Sequence, residues 1–251
     1  MDPVLLQRDG ALARVALNRP DARNALNLPM CHALRDAFAE LDADAEVRVV
    51  LLSANGPVFC AGADLKERRG KDEAWVRARR RASFAAYDAI ERCSKPVVAV
   101  LDGPAIGSGG EIALCCDFVI AGRGASFRFP EPQWGTVGAT QRLQRVIGKR
   151  RAKELLFTGR KMPVDEAYAL GLVARVVDDV SAAADEVAAS IAKAPALAMA
   201  LTKQAVDLGE EVALSTGLRI EMVQIERVLA DGAWRQGVES FTRAVGRGED
   251  A

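Results

Sequence analysis

Pro96-Val97-Val98-Ala99-Val100-Leu101, then Asp102-Gly103-Pro104, then Ala105-Ile106-Gly107-Ser108-Gly109-Gly110, then Glu111-Ile112-Ala113-Leu114-Cys115-Cys116 spell a strand, a breaker, a glycine-rich turn and a helix. The first run is apolar without alternation, the pattern of a strand covered on both faces. Asp102-Gly103-Pro104 ends it, and the segment from Glu111 to Cys116 reads as helix. A helix start leaves N–H groups without intrahelical partners, and small residues let a ligand approach them closely. The run is not a Walker A loop, because no Gly-Lys-Ser/Thr follows, and Ile112 breaks the GxGxxG pattern.

Upstream the same unit occurs once more. Val47–Leu52 reads as a buried strand, Ser53-Ala54-Asn55-Gly56-Pro57 as its terminating loop, and Phe59-Cys60-Ala61-Gly62-Ala63-Asp64-Leu65-Lys66 as a second small-residue turn. Two such turns side by side would aim two main-chain amides at one carbonyl oxygen, which is an oxyanion hole. Before them, Val4–Arg8 and Ala11–Leu17 flank a hairpin turn at Asp9-Gly10, and Met30, Ala33, Leu34, Ala37, Phe38 and Leu41 mark one helix face. Asp117–Ala121 and Ser126–Phe129 read as two more short strands. From about residue 138 the pattern turns almost wholly helical, with stripes at Val180, Ala184, Val187, Ala188, Ile191 and at Leu214, Leu218, Met222, Ile225, Leu229. A mixed α/β body followed by a helical tail is the expected architecture, and apolar stripes on the tail need a cover, from the body or another subunit.

Composition bounds the function. The 251 residues carry 34 basic and 34 acidic side chains, a net charge of zero that argues against a dedicated nucleic-acid or membrane-surface protein. Half the residues are hydrophobic, enough for a sizeable core, yet no apolar stretch approaches the roughly 20 residues of a membrane span. Cys31, Cys60, Cys93, Cys115 and Cys116 form no CxxC pair and suit buried, reduced thiols in a cytoplasmic compartment. No metal site is expected: the single histidine, His32, has no ligand spacing around it. The start Met1-Asp2-Pro3-Val4 lacks the pattern of a signal peptide.

Two carboxylates stand out. Glu111 opens the apolar helix, where the macrodipole alone would favour an acid. Glu131 follows Phe127-Arg128-Phe129-Pro130, and its neighbours Phe129, Pro130 and Trp134 would supply an apolar surround that raises its pKa and keeps it able to give a proton.

Taken in order, Asn18-Arg19-Pro20, Asn24-Ala25-Leu26-Asn27, Phe59 to Lys66, Gly107 to Glu111, Phe129-Pro130-Glu131, Thr140-Gln141-Arg142-Leu143 and Thr158-Gly159-Arg160 resemble the crotonase superfamily, and within it the enoyl-CoA hydratases and isomerases. The likeness runs from about Val4 to about Phe241. It implies an α/β fold, a crotonase-like ββα spiral body over residues 1–190 with a C-terminal helical oligomerisation region over residues 191–251, assembled as a homotrimer or hexamer. It further implies that backbone N–H groups of Ala63 and Ser108 hold the thioester oxygen of an acyl-CoA, where many relatives have glycine at the second position. Glu111 and Glu131, twenty positions apart as in the two-glutamate hydratases, would activate water and donate a proton respectively. Ala61, Gly62, Asp64, Leu65, Lys66 and Arg23 fall where relatives bind coenzyme A, and the CoA is part of the substrate, so no separate cofactor is expected. Towards the end of the chain, Arg243 or Arg247 would stand in for the basic run common in relatives.

Hydration of a 2-enoyl-CoA is the first reading, in the context of fatty acid metabolism, and double-bond isomerisation by one glutamate is the alternative. The loop Gly135-Thr136-Val137-Gly138 is about three residues shorter than in many hydratases, which suggests a reshaped acyl pocket or a shift towards another enolate reaction. Lys66 to Arg81 holds eight basic residues against three acids, read as a solvated face or as a lid over CoA. An RNA-binding or non-catalytic crotonase-fold protein is the alternative of another class. Zero net charge and 5% aromatics speak against nucleic acid, and both glutamates speak against a bare scaffold.

Overall fold

In the computed structural model, which describes residues 2–246, the chain opens with β1 (Val4–Asp9) and β2 (Leu12–Leu17), an antiparallel hairpin in which Asp9 faces Leu12. The turn therefore centres on Gly10-Ala11, one residue beyond the Asp9-Gly10 expected, and Gly10 supplies the positive φ of 55°. Next come α1 (Leu28–Ala43), β3 (Val49–Ala54), α2 (Glu73–Glu91), β4 (Val97–Leu101), β5 (Pro104–Ile106), α3 (Ser108–Leu114), β6 (Phe118–Gly122) and β7 (Ser126–Arg128). The remainder is α4 (Thr140–Ile147), α5 (Lys149–Thr158), β8 (Met162–Pro163), α6 (Val164–Ala169), β9 (Arg175–Val177), α7 (Val180–Lys193), α8 (Ala196–Glu210), α9 (Leu214–Asp231) and α10 (Ala233–Gly246).

The main sheet has the order β1-β2-β3-β4-β6-β9, and every pairing after the first hairpin is parallel. Its central strands are buried on both faces, and strict alternation divides their side chains. Val50, Leu52, Val97, Ala99 and Ala121 point into the large core with Leu34, Phe38, Leu41 and Ile90 of α1 and α2. Val49, Leu51, Val98 and Ile120 point the other way, onto Ala184, Val187 and Ala188 of α7. Thus α7 is part of the body, and the chain leaves the sheet only after Lys193.

Two expectations need correction. The stretch after residue 138 is not purely helical: Met162–Pro163 pairs with β7, and Arg175–Val177 adds an edge strand beside β6. Three-residue strands carry no readable period, and their pairing is set by tertiary contact. The basic run from Lys66 to Arg81 is not all solvated either. Arg79 is fully buried, donating to Glu67 at 2.6 Å, to Ser83 at 2.5 Å and to the Leu26 carbonyl. It clamps the 26–28 and 60–67 segments to α2.

A second, small sheet, β5-β7-β8, carries the chain from β4 into α3. Gly103 permits the crossing, because a β-carbon there would lie 2.2 Å from the Pro57 carbonyl oxygen.

Candidate active site

The turn after β3 and the turn before α3 are pinned together by two isolated parallel bridges. Cys60 exchanges bonds with Pro104 (3.3 Å) and Ile106 (2.9 Å) around Ala105. Leu26 exchanges bonds with Gly62 (2.8 Å) and Asp64 (2.9 Å) around Ala63. In a parallel ladder the residue between two bonded neighbours turns its own N–H away from that partner. Ala63 is that residue, and its N–H has no acceptor among the described residues. The N–H of Ser108, first residue of α3, has none either.

The helix begins three residues earlier than the sequence suggested, because Ser108-Gly109-Gly110 forms its first turn instead of a loop. Packing explains the glycines. A β-carbon on Gly109 would sit 2.4 Å from the Cys60 carbonyl oxygen, and one on Gly110 would sit 2.5 Å from the Phe129 ring. Gly62, at φ +95°, brings the turns into contact: its β-carbon would lie 4.0 Å from the Ser108 nitrogen.

Both predicted acids are brought to these turns. Glu111 is 3% exposed, and its Oε1 accepts from the Ala139 N–H at 3.0 Å. Burial raises its pKa, while the Ala139 N–H and the charges of Arg142 and Arg80 oppose the rise. Glu131 is 8% exposed and lies against Gly107, where a β-carbon would meet its Oε1 at 2.8 Å, and against Gly138, where one would meet its Cγ at 2.7 Å. Its Oε2 is buried without a partner. Burial, reinforced by the Glu111 charge, pushes its pKa up to about 7. Phe129 is buried, its ring against Gly110, whereas Trp134 is 65% exposed and adds nothing to this surround. The pair is thus unequal: Glu111 keeps a hydrogen-bond donor, whereas Glu131 has a buried oxygen without a partner and the like charge of Glu111 nearby, opposed by the charge of Arg80.

The residues expected at the CoA end also cluster. Ala61 donates to the Arg23 carbonyl at 3.0 Å, so Arg23 and the 61–66 turn share one edge. Arg23, Leu65 and Lys66 are exposed there. Asp64 differs, since its carboxylate accepts from Arg19 at 3.1 Å and from the Lys66 N–H at 3.1 Å, leaving it a support for the turn. Arg243 sits on α10, 4.0 Å from Glu239, and Arg247 lies outside the described residues. His32 is exposed. Cys115 and Cys116 are buried thiols whose pKa burial raises, which makes them inert at neutral pH.

Sequence reasoning missed four neighbours. Ala139, at φ +55°, turns its N–H to Glu111, and Gly138 makes room for Glu131, so the short loop is what seats both acids. Arg80 reaches across to Thr136 Oγ1 at 2.8 Å, and Tyr87, wholly buried, carries a hydroxyl without a hydrogen-bond partner beside Ser108 and Glu111. The only signal for any of these was the unusual brevity of residues 135–138.

Two amides without acceptors on abutting turns, flanked by two buried carboxyls of unequal acidity, suit the stabilisation of an enolate with proton transfer on its adjacent carbons. Residues 7–244 match the family model described as enoyl-CoA hydratase/isomerase. The chain belongs to the enoyl-CoA hydratase/isomerase family. Its relatives include a short-chain-enoyl-CoA hydratase of Clostridium acetobutylicum, 36% identical over 227 residues that cover 88% of this chain and 87% of that one. An enoyl-CoA isomerase/hydratase of Mycosarcoma maydis is 36% identical over 241 residues, covering 90% and 88%. An enoyl-CoA hydratase crystal structure from Bacillus anthracis superposes with a TM-score of 0.93 at 35% identity, over 96% of each chain. The architecture is accordingly that of the crotonase-fold hydratases, as the sequence resemblance implied. Among the described residues no helix is long and apolar enough to cross a membrane, and no three His, Cys, Asp or Glu side chains group as metal ligands.

Proposed function

We propose that this protein hydrates a 2-enoyl-CoA thioester through an oxyanion-stabilised enolate. The observation that carries the reading is the coincidence, on abutting turns, of acceptor-free N–H groups at Ala63 and Ser108 with the unequal acids Glu111 and Glu131. The thioester oxygen accepts from both amides. The water oxygen bonds the β-carbon while its proton passes to Glu111, whose Oε1 is steadied by Ala139 and whose other oxygen is left for water. Glu131, with a pKa near 7, delivers its proton to the α-carbon. A single donor to the oxyanion is worth about 2.7–4 kcal/mol of transition-state stabilisation, so backbone placement outweighs any side chain in these turns.

Main-chain groups of Ala61, Gly62, Asp64 and Leu65 would hold the CoA adenine and pantetheine, with Lys66 and Arg23 towards the phosphates. No cofactor beyond the CoA of the substrate takes part. Five free, buried cysteines fit a reducing cytoplasmic setting in fatty acid metabolism, with the chain assembled as a homotrimer or hexamer. Isomerisation is the second reading, favoured by one observation: a carboxyl with a pKa near 7 both takes and gives a proton readily.

Crotonyl-CoA tests the reading. Hydration is expected to bleach the conjugated-thioester absorbance with a mass gain of one water, whereas migration of the double bond in a longer enoyl-CoA leaves the mass unchanged. Ser108→Pro deletes one N–H while suiting a first helical position, and is expected to lower kcat about 10²–10³-fold with the fold intact by circular dichroism. Full activity in that variant refutes the oxyanion assignment.

A further inference from the structure

A cavity of about 360 Å³ is lined by Arg68, Val76, Arg77, Arg80, Arg81 and Thr136. Four of these six residues are arginines, and none is an acid. Arg77 pairs with Glu73 one helical turn away, at 2.5 Å, while Arg68, Arg80 and Arg81 have no carboxylate partner among the described residues. Glu67, next to Arg68 in the chain, is already taken by Arg79 and by the Leu28 N–H at 2.8 Å. Arg68 Nε is buried with no hydrogen-bond partner, and burial together with the Arg79 and Arg80 charges holds its pKa below the ordinary arginine value. Cations crowded in this way repel one another, and an anion seated among them relieves the repulsion.

Position decides which anion. Arg80 bonds Thr136, whose own N–H donates to the Glu131 carbonyl at 3.0 Å, and the Arg80 charge acts on both Glu111 and Glu131. An anion held by Arg80 and Thr136 is thus one residue removed from Glu131. The phosphates of CoA would stand a whole pantetheine arm away from the thioester; Arg68 shares a short 3-10 helix with Lys66, but Arg80 and Thr136 form the end of the cavity that adjoins Glu131. Guanidinium forks match carboxylate geometry, and Thr136 adds a neutral polar contact. We propose that this cavity receives the far end of the acyl group, and that the preferred acyl chain ends in a carboxylate recognised by Arg68 and Arg80. The proposal rests on the acyl-CoA reading above and narrows its substrate class.

Calorimetric titration with two unreactive saturated thioesters of matched length, glutaryl-CoA and pentanoyl-CoA, tests it without turnover. The protein is expected to bind the carboxylated ligand at least tenfold more tightly, and Arg68→Gln and Arg80→Gln are each expected to remove most of that preference. Equal affinities, or a preference that survives both substitutions, overturn the proposal. The matching pantetheine thioesters, which lack the phosphates, separate the two sources of negative charge. The preference is expected to persist with them. If instead Arg68→Gln weakens both CoA ligands alike and leaves the pantetheine ligands untouched, the cluster serves the phosphates and the proposal fails. Absence of turnover with both crotonyl-CoA and a carboxylated enoyl-CoA (glutaconyl-CoA) would count against the hydratase reading, and absence of a binding preference against this one, so the two failures are distinguishable.

Discussion

Burial between Gly107 and Gly138, with the Glu111 charge nearby, pushes the Glu131 pKa up to about 7. The same burial that would suit it to giving a proton also has a cost in stability. A group whose folded pKa stands above its unfolded value binds its proton more tightly in the folded state, so the folded form is favoured at low pH and loses that advantage as pH rises through about 7. A shift of this size corresponds to roughly 3 kcal/mol once the group is ionised. Glu131→Gln is therefore expected to lower the hydration rate about 10²–10⁴-fold. It should also flatten the loss of stability between about pH 4 and 8 by roughly 1–3 kcal/mol, read by denaturant unfolding at each pH. The wild-type rate should fall above about pH 7 as the acid form disappears. A variant that keeps the rate, or a stability profile unchanged by the substitution, would remove Glu131 from the role. This residue was legible in the sequence, since an acid after Phe-Pro in a motif of known order pointed to it. Its environment was only half legible: the site is buried as the sequence suggested, whereas Trp134 faces outward, because the residues between turn the chain through a short 3-10 helix.

At the scale of elements, the site is the contact between α3 and the turn after β3, and glycines set its spacing. Gly109 is the tightest of them against the turn's own main chain, which cannot yield as a flexible side chain would. Gly109→Ala is expected to destabilise the protein by about 1–3 kcal/mol through overpacking. The sharper readout is catalytic: pushing the Ser108 N–H away from its mate by even a fraction of an ångström should lower kcat at least tenfold, since misplacement by about 1 Å can cost about 10²-fold. Thermal melts and initial rates on the same sample separate the two effects, and an active, destabilised variant would show that the spacing is not critical. The strands and the first amphipathic helix were readable because their periods survive in isolation: Val47–Leu52 and Pro96–Leu101 are apolar on both faces, and both faces are covered. Helix α3 was read late because three of its first-turn residues are small and polar or glycine, poor helix formers that win here only by packing. Arg80, Ala139 and Tyr87 were invisible, as each acts on a residue more than twenty positions away, and no local pattern encodes such contacts.

For the whole molecule, the C-terminal helices raise the remaining question. α8 is tied to the body, with Leu201 buried and Lys203 paired to Asp117 at 3.1 Å. α9 packs on α8, yet Leu214, Leu218, Met222, Ile225 and Leu229 stay exposed along it. Beside them a cavity of about 590 Å³ runs between α8, α9 and Trp234, with mostly apolar walls. A seam of this kind on a lone chain is an aggregation hazard, whereas closure against further copies removes it from water. The proposed trimer or hexamer predicts a solution mass of three or six times 26.8 kDa by light scattering. Leu218→Glu combined with Met222→Glu would force two charges into the seam, at a cost of several kcal/mol each once buried without partners, and is expected to yield monomers. Because those positions lie outside the sheet core, the monomer should keep its circular dichroism spectrum. A wild-type mass of 26.8 kDa at working concentration, or a double variant that still assembles, would mean that α9 is covered by something other than a second copy of this chain.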